Sequence, residues 1–200
     1  MGRVFYVVHV QDPLVEAYLD GIRYLTNPFE KGRAHVTARG PYTRRVHMPK
    51  VQAKIAGSVL NFAGVGTFFG PTQHTVFLRC DSEALQAVWH KPDFKGYHPH
   101  LTLFDGKGEG ARQIAEDLLA ALEERAPCFS TPVSGLDPLH STKGQSNLDL
   151  SSAWGRNRER LARALGRDLP ALQVKELPWS ERRGLMDSLC VGLAQLTPVK

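Results

Sequence analysis

The sequence predicts a mixed α and β fold made of two similar halves, followed by a helical extension. Two observations lead to this prediction. Between residues 4 and 136 the pattern strand, helix, strand, helix, strand occurs twice, with an offset of about 70 residues. After residue 147 the apolar side chains recur at the spacing of helices alone. We therefore expect two units related by a pseudo-twofold axis in residues 1–140, and a helical, basic extension in residues 147–200.

The first half begins with an apolar segment at residues 4–10, whose β-branched and aromatic side chains favour a strand. Asp12 and Pro13 suit the N-cap and the first position of a helix, which apolar side chains at helical spacing extend to residue 25. The other elements expected here are a strand at 34–39 that Gly40-Pro41 ends, a helix within 50–60 and a strand at 62–69.

The second half repeats this order, and Asp81-Ser82 marks its first helix start. Its expected elements are a strand at 75–80, a helix to residue 89, a strand at 98–104, a helix at 110–125 and a closing strand at 128–136. Residues 141–146 are interpreted as a linker. The extension is expected to contain helices at 152–166 and 180–196, the second of them capped by Ser180.

One short pattern, His-x-Thr, lies in the second strand of each half: His35 with Thr37, and His100 with Thr102. Side chains two residues apart on a strand share a face, so two such strands can bring all four side chains into one cleft. Histidine exchanges protons near neutrality, and threonine hydroxyls can donate to the non-bridging oxygens of a phosphate. A single His-x-Thr is more often structural. Its repetition at matching positions favours a catalytic site for phosphodiester cleavage.

The surrounding segments, AHVTARGPY at 34–42 and YHPHLTLF at 97–104, resemble the paired motifs of the two-histidine (2H) phosphoesterase superfamily. That superfamily includes 2′-5′ RNA ligase-like proteins and cyclic phosphodiesterases. The resemblance covers residues 1–138 and implies a bilobal α+β fold, with two antiparallel sheets around a central cleft and helices outside. It also implies metal-independent opening of a cyclic phosphate, or cleavage of a 2′-5′-type linkage, in RNA or a nucleotide.

Three further residues are predicted to bind the substrate. Arg39 shares the strand face of His35 and its planar guanidinium suits a phosphate; an ion pair with a nearby carboxylate is the alternative. Tyr42 can stack on a nucleobase at the rim of the cleft, or pack against a neighbouring helix. His98 falls on the face of His100 and is expected to orient its neighbours or to lie at the cleft edge.

A second interpretation makes His35, His98 and His100 the ligands of an open catalytic zinc site. Pro99 separates two of these histidines, and a zinc site leaves the paired threonines unexplained. We therefore expect neither a metal nor another cofactor.

The net charge of +5 is concentrated in the extension, where 10 Lys and Arg in residues 143–200 outnumber 6 Asp and Glu. An RNA backbone is a plausible partner for such a segment. One helical face is expected to carry four arginines, Arg156, Arg160, Arg163 and Arg167. This basic face either contacts an RNA backbone or is simply solvated.

We expect a cytoplasmic protein whose partner is an RNA end or a nucleotide phosphodiester, with no membrane contact. No apolar run is long enough to span a bilayer, and no cleavage pattern follows the first strand. The three cysteines are far apart, which favours a reducing compartment and buried thiols. Two alternatives use the same residues: a non-catalytic RNA-binding module that employs the basic extension, and RNA end-joining by reversal of the cyclic-phosphate opening.

Overall fold

The computed structural model describes residues 3–28, 33–91, 95–133, 135–141, 150–171 and 176–196. Within these ranges the chain is an α+β protein with helices α1 to α6 and strands β1 to β7. In chain order they are β1 (Arg3–His9), α1 (Pro13–Thr26), β2 (His35–Tyr42), α2 (Pro49–Ile55), β3 (Val59–Phe69), β4 (Gln73–Asp81), α3 (Glu83–Val88), β5 (His100–Lys107), α4 (Ala111–Arg125), β6 (Cys128–Pro132), β7 (Asp137–Ser141), α5 (Leu150–Leu165) and α6 (Trp179–Ala194).

The strands form one antiparallel sheet in the order β6-β3-β4-β5-β2-β1-β7. The two separate sheets that the resemblance implied are therefore not found among the described residues. The reason lies between β2 and β5, which pair at a single position, Val36 with Leu101. This pair joins β7-β1-β2 to β5-β4-β3-β6 and relieves both strands of an exposed edge. We call this junction the seam.

Helix α1 lies between the sheet and the extension. Its start is as predicted, because Asp12 Oδ1 accepts hydrogen bonds from the backbone N–H groups of Leu14 and Val15, at 2.8 and 2.9 Å. From Ala17 to Thr26 every residue of α1 is buried. The helix is thus covered on all sides, unlike a surface helix with one apolar stripe.

The two helices of the extension pack against the outer side of α1. Gly21 permits the close approach, since an added Cβ would lie 2.8 Å from Leu189 Cδ1 and 3.2 Å from Leu161 Cδ1. Arg182 of α6 donates a hydrogen bond to the carbonyl of Leu25, at 2.9 Å. The extension therefore supports α1 from behind, on the side away from the sheet.

Several predicted element ends are wrong. Gly40-Pro41 does not end β2, because a bulge accommodates it: Gly40 and Pro41 face the single residue Phe5 of β1. Gly40 adopts a left-handed φ of 105° and donates its N–H to the carbonyl of His90, at 2.9 Å.

The end of the region in which the sequence predicts a repeat also differs from the prediction. Two strands, β6 and β7, stand where one closing strand was expected at 128–136. β6 pairs with β3, and β7 pairs with β1. β5 begins at His100, and Pro178 takes the N-cap position of α6 that was assigned to Ser180. Cys128 is exposed, whereas the other two cysteines are buried. Apart from Ser141, the predicted linker lies outside the described residues, and no described helix has the length and apolar character to cross a membrane.

Candidate active site

The seam gathers the two His-x-Thr pairs on one face of the sheet. Val36 and Leu101 are fully buried, so their side chains point into the core. Their neighbours on both strands point to the opposite face. The antiparallel register sets His35 opposite Thr102 and Thr37 opposite His100, and all four residues are partly buried. The sheet thus presents two imidazoles and two hydroxyls around one small space.

Both imidazoles are oriented by the same hydrogen bond. His35 Nδ1 lies 2.8 Å from the carbonyl oxygen of Arg33, and His100 Nδ1 lies 2.9 Å from that of His98. A carbonyl oxygen only accepts, so the neutral rings carry their proton on Nδ1. The lone pair is then on Nε2 in each ring. Two equivalent Nε2 atoms are available to accept a proton, or to donate one when the ring is charged.

The site favours neutral imidazoles. Burial lowers the pKa of His35 to about 4, and the positive charge of Arg23 contributes to the same shift. Burial also lowers the pKa of His100, with a further contribution from Lys91. An anion bound between the rings would oppose both shifts, because it stabilises the imidazolium form.

Helix α1 holds the segment that leads into β2. Asp20 accepts a hydrogen bond from the backbone N–H of Ala34 at 2.7 Å, and Glu16 forms an ion pair with Arg33. The carbonyl of Arg33 is the acceptor for His35, so these contacts fix the orientation of the imidazole. Burial raises the pKa of Asp20 to about 6, against the hydrogen bond from Ala34 and the charge of Arg23, which lower it.

The predicted substrate residues Arg39 and Tyr42 form a separate group at the end of β2. Arg39 donates to the carbonyl of Val88 at 2.6 Å and to the hydroxyl of Tyr42 at 3.2 Å, so its partners are not the carboxylate considered above. Tyr42 stacks on His90, with ring centroids 5.9 Å apart, and its hydroxyl lies 2.9 Å from His90 Nδ1. One face of Tyr42 is therefore occupied by protein.

His98 precedes β5, so strand alternation does not set its direction. Its side chain is exposed, its imidazole lies against Gly96, and its carbonyl orients His100. Its contact with the site is thus made by the backbone. Among the described residues, no group of three or more His, Cys, Asp or Glu side chains is arranged to hold a metal ion.

The structure adds neighbours of the two histidines that the sequence analysis did not select. His9 is the partner of His35 in the β1–β2 register, with ring centroids 6.0 Å apart. Arg79 is the partner of His100 in the β4–β5 register and is exposed. The alternation of side chains within β1 and β4 could have indicated which residues share a face. Only the strand register, however, shows that His9 and Arg79 lie beside the two histidines.

An aromatic shelf, formed by Phe68 and Phe77, borders His100. The ring centroids of Phe77 and Phe68 lie 4.8 and 5.7 Å from that of His100, and 4.6 Å from each other. Phe77 is buried, whereas Phe68 is 55% exposed. Gly66 leaves room for the shelf, since an added Cβ there would collide with the ring of Phe77. An exposed phenylalanine beside an imidazole offers a flat apolar surface to a ligand.

The expected basic face of the extension is partly engaged within the chain. Arg160 donates to the carbonyl of Pro13 at 3.3 Å, and Arg163 donates to that of Glu159 at 3.3 Å. The side chain of Arg156 lies outside the described residues. Arg160 and Arg163 lie on α5, which packs against α1 on the far side of that helix from the sheet, whereas Arg167 follows the end of α5 and does not extend the expected face.

A scan against protein-family models found no family that matches the chain, and a search of the curated proteins found no match either. A functional conclusion therefore depends on the geometry of the side chains described above.

The lowered pKa of His35 predicts that the protein loses stability on acidification. Between pH 6.5 and 4 the unfolded chain binds a proton at residue 35 that the folded protein does not, so the free energy of unfolding falls as the pH is lowered. Asp20 acts in the opposite direction between about pH 6 and 3.8, because its folded form retains a proton. Between pH 7 and 4.5, the free energy of unfolding of His35→Asn should therefore fall by on the order of 2 kcal/mol less than that of the wild type.

Urea denaturation at the two pH values measures this loss, and Asp20 contributes equally to both proteins. His47→Asn is the matched control, because His47 is exposed ahead of α2 and should leave the acid sensitivity as it is in the wild type. Equal losses in the wild type and His35→Asn would contradict the assignment of acid sensitivity to His35.

Proposed function

We propose that the protein is a metal-independent phosphodiesterase of the two-histidine type, which hydrolyses a cyclic phosphate or a 2′-5′-type linkage in RNA or a nucleotide. One observation carries the proposal. Two imidazoles meet across the seam, each with its Nδ1 held by a backbone carbonyl two residues earlier in the chain. Each ring therefore has its Nε2 free for proton transfer, and each has a threonine hydroxyl on the same face.

The proposed reaction needs one base and one acid. For a 2′,3′-cyclic phosphate, one Nε2 removes a proton from water as its oxygen attacks phosphorus. The bond from phosphorus to one ribose oxygen breaks, and the second imidazole, in its protonated form, gives a proton to that oxygen. Thr37 and Thr102 donate hydrogen bonds to the non-bridging oxygens, where negative charge increases in the transition state.

The electrostatic environment supports His35 as the base and His100 as the acid. A base must be unprotonated before the reaction, and burial together with Arg23 keeps the pKa of His35 at about 4. An acid must carry a proton when the substrate is bound. His100 lies beside the exposed side of the cleft, next to Phe68, where an arriving phosphate can raise its pKa.

We infer further that residues 1–140 are a bilobal duplication about the seam. From the seam outwards, the strands are β5 and then β4 on one side, and β2 and then β1 on the other. The two sides thus have the same order in the chain. Each side contributes one His-x-Thr pair with the same carbonyl hydrogen bond. Such equivalence is expected of a repeated unit, and the single Val36–Leu101 pair explains why the two lobes share a sheet.

The surroundings of His100 support a nucleotide as the substrate class. Arg79 lies opposite His100 on β4 and can bind a phosphate with two parallel hydrogen bonds. Phe68 exposes its ring on the same face, where a nucleobase can stack. We therefore assign base stacking to Phe68; Tyr42, which contacts His90, stays a second candidate at the end of β2.

The enzymatic proposal predicts hydrolysis of 2′,3′-cyclic mononucleotides in the presence of EDTA. His35→Ala and His100→Ala should each lower kcat by about 10²–10⁴-fold, because each removes one proton-transfer group. The measurement is product formation with a panel of four cyclic mononucleotides and a 2′-5′-linked dinucleotide. For the wild type, a plot of kcat/KM against pH should be bell-shaped with its maximum below pH 6.5, because the pKa of both histidines is lowered in the free protein.

His47→Ala, with an exposed histidine removed, is the control and should retain wild-type turnover. Unchanged activity in the His35→Ala, His100→Ala double variant would rule out the mechanism. Wild-type protein that binds these nucleotides or RNA without turnover would instead favour the non-catalytic RNA-binding module. Joining of a 5′-hydroxyl RNA to a cyclic-phosphate end would identify the ligation direction.

The assignment of Phe68 predicts a substrate-dependent effect. Phe68→Ala should raise KM for 2′,3′-cyclic AMP by roughly fivefold or more, since stacking of a base on an aromatic ring is worth about 1–3 kcal/mol. The same variant should leave KM for glycerol 1,2-cyclic phosphate unchanged, because that compound has no base. Steady-state kinetics with the two substrates measures the difference.

Phe69→Ala is a matched control. Phe69 is the next residue, it is 43% exposed, and its ring contacts His74 instead of His100. It should leave both KM values unchanged. An equal rise for both substrates in Phe68→Ala would show that Phe68 supports the site without contacting a base.

A further inference from the structure

Arg23 is a buried arginine beneath the proposed active site. It lies on α1 and is 4% exposed. Its Nη1 donates a hydrogen bond to the backbone carbonyl of Thr102 on β5. A guanidinium remains charged inside a protein and is costly to bury, so its position calls for a specific explanation.

The contact bridges the weakest junction of the sheet. β2 and β5 pair only at Val36 and Leu101, so backbone pairing does little to fix the distance between His35 and the strand of His100. Helix α1 contacts β5 and the segment that leads into β2. Asp20 binds the N–H of Ala34 ahead of β2, and Arg23, one helical turn later, binds the carbonyl of Thr102. The helix thus joins the two lobes at the catalytic residues.

Arg23 also acts on the charge of His35. The groups that act on His35 are His9 from β1, His100 from β5, the backbone of Arg33 before β2, and Arg23 from α1. Two carboxylates of α1, those of Asp20 and Glu16, interact with Arg23 and Arg33. Arg33 is paired with Glu16, and after burial Arg23 has the largest effect on the pKa of His35. Its charge lies beneath the face on which an anionic substrate would bind.

We propose that Arg23 is a positioning residue, which holds the Thr102 segment of β5 in place across the seam from His35 and supplies a buried positive charge beneath His35. The inference rests on the proposed phosphoesterase function. Arg23 does not touch the substrate. It acts through Thr102, whose backbone it fixes, and through His35, whose imidazole it keeps unprotonated.

Two variants separate the roles. Arg23→Gln removes the charge and leaves a shorter polar side chain, so the midpoint of the His35 titration should rise by about one pH unit. Arg23→Lys keeps the charge and loses the planar guanidinium, so the titration of His35 should remain near that of the wild type while kcat/KM falls. Titration of the imidazole resonances by NMR, with His35→Asn for assignment, gives the first readout without any substrate. Hydrolysis of 2′,3′-cyclic AMP gives the second.

Arg182→Gln is the matched control, because Arg182 also donates to a backbone carbonyl of α1 but does so from α6, away from the histidines. It should change neither readout. A His35 midpoint in Arg23→Gln equal to that in Arg182→Gln would overturn the electrostatic role. A kcat/KM in Arg23→Lys equal to that of the wild type would overturn the positioning role. If circular dichroism shows that Arg23→Gln does not fold, the result with Arg23→Lys tests the proposal alone. Absence of turnover in the wild type refutes the proposed function, while the NMR titration still reports on the charge of Arg23.

Discussion

The pairing of Val36 with Leu101 is the contact on which the site depends. It fixes the register of β2 against β5, and the register sets each histidine opposite the threonine of the other motif. A shift of β2 by one residue would turn His35 and Thr37 into the core and bring Val36 to the surface. Both residues of the pair are fully buried, so the hydrophobic effect opposes that shift. A purely apolar contact thereby determines where the polar groups of the site lie.

A junction of one residue pair is weak, and the surrounding structure compensates for it. Helix α1 is buried from Ala17 to Thr26 and sends charged side chains to both strands. The extension covers the other side of this helix, with Gly21 allowing the close contact. The burial of His35 and the charge of Arg23, which α1 carries, lower the pKa of His35. The helix that joins the two sides of the seam thus also supplies part of the electrostatic environment of the site.

Local signals in the sequence predicted local features. The Asp12 cap and the His-x-Thr pairs depend on spacings of two or three residues, which a single strand or helix start is enough to define. Predictions that depend on strand pairing were wrong or missing. Two sheets were expected where there is one, β2 was expected to end at Gly40-Pro41, and the pairing of β7 with β1 was not predicted. Alternation placed Arg39 on the face of His35, but it did not reveal that Val88 and Tyr42 bind its guanidinium. Arg23 shares its helix with Glu16 and Asp20, and the spacing of these charged residues gives no sign that the arginine will be buried.

The central claim is that both imidazoles present Nε2 to one phosphate, and the nitrogen resonances of the histidines test it most directly. Long-range ¹H–¹⁵N correlation spectra at neutral pH distinguish the two neutral tautomers, and a titration with a 3′-mononucleotide shows which nitrogens respond. The account predicts that His35 and His100 are both protonated at Nδ1, and that their two Nε2 resonances shift together and saturate at one equivalent of nucleotide. An Nε2-protonated ring at either position, or a response confined to one histidine, would contradict it.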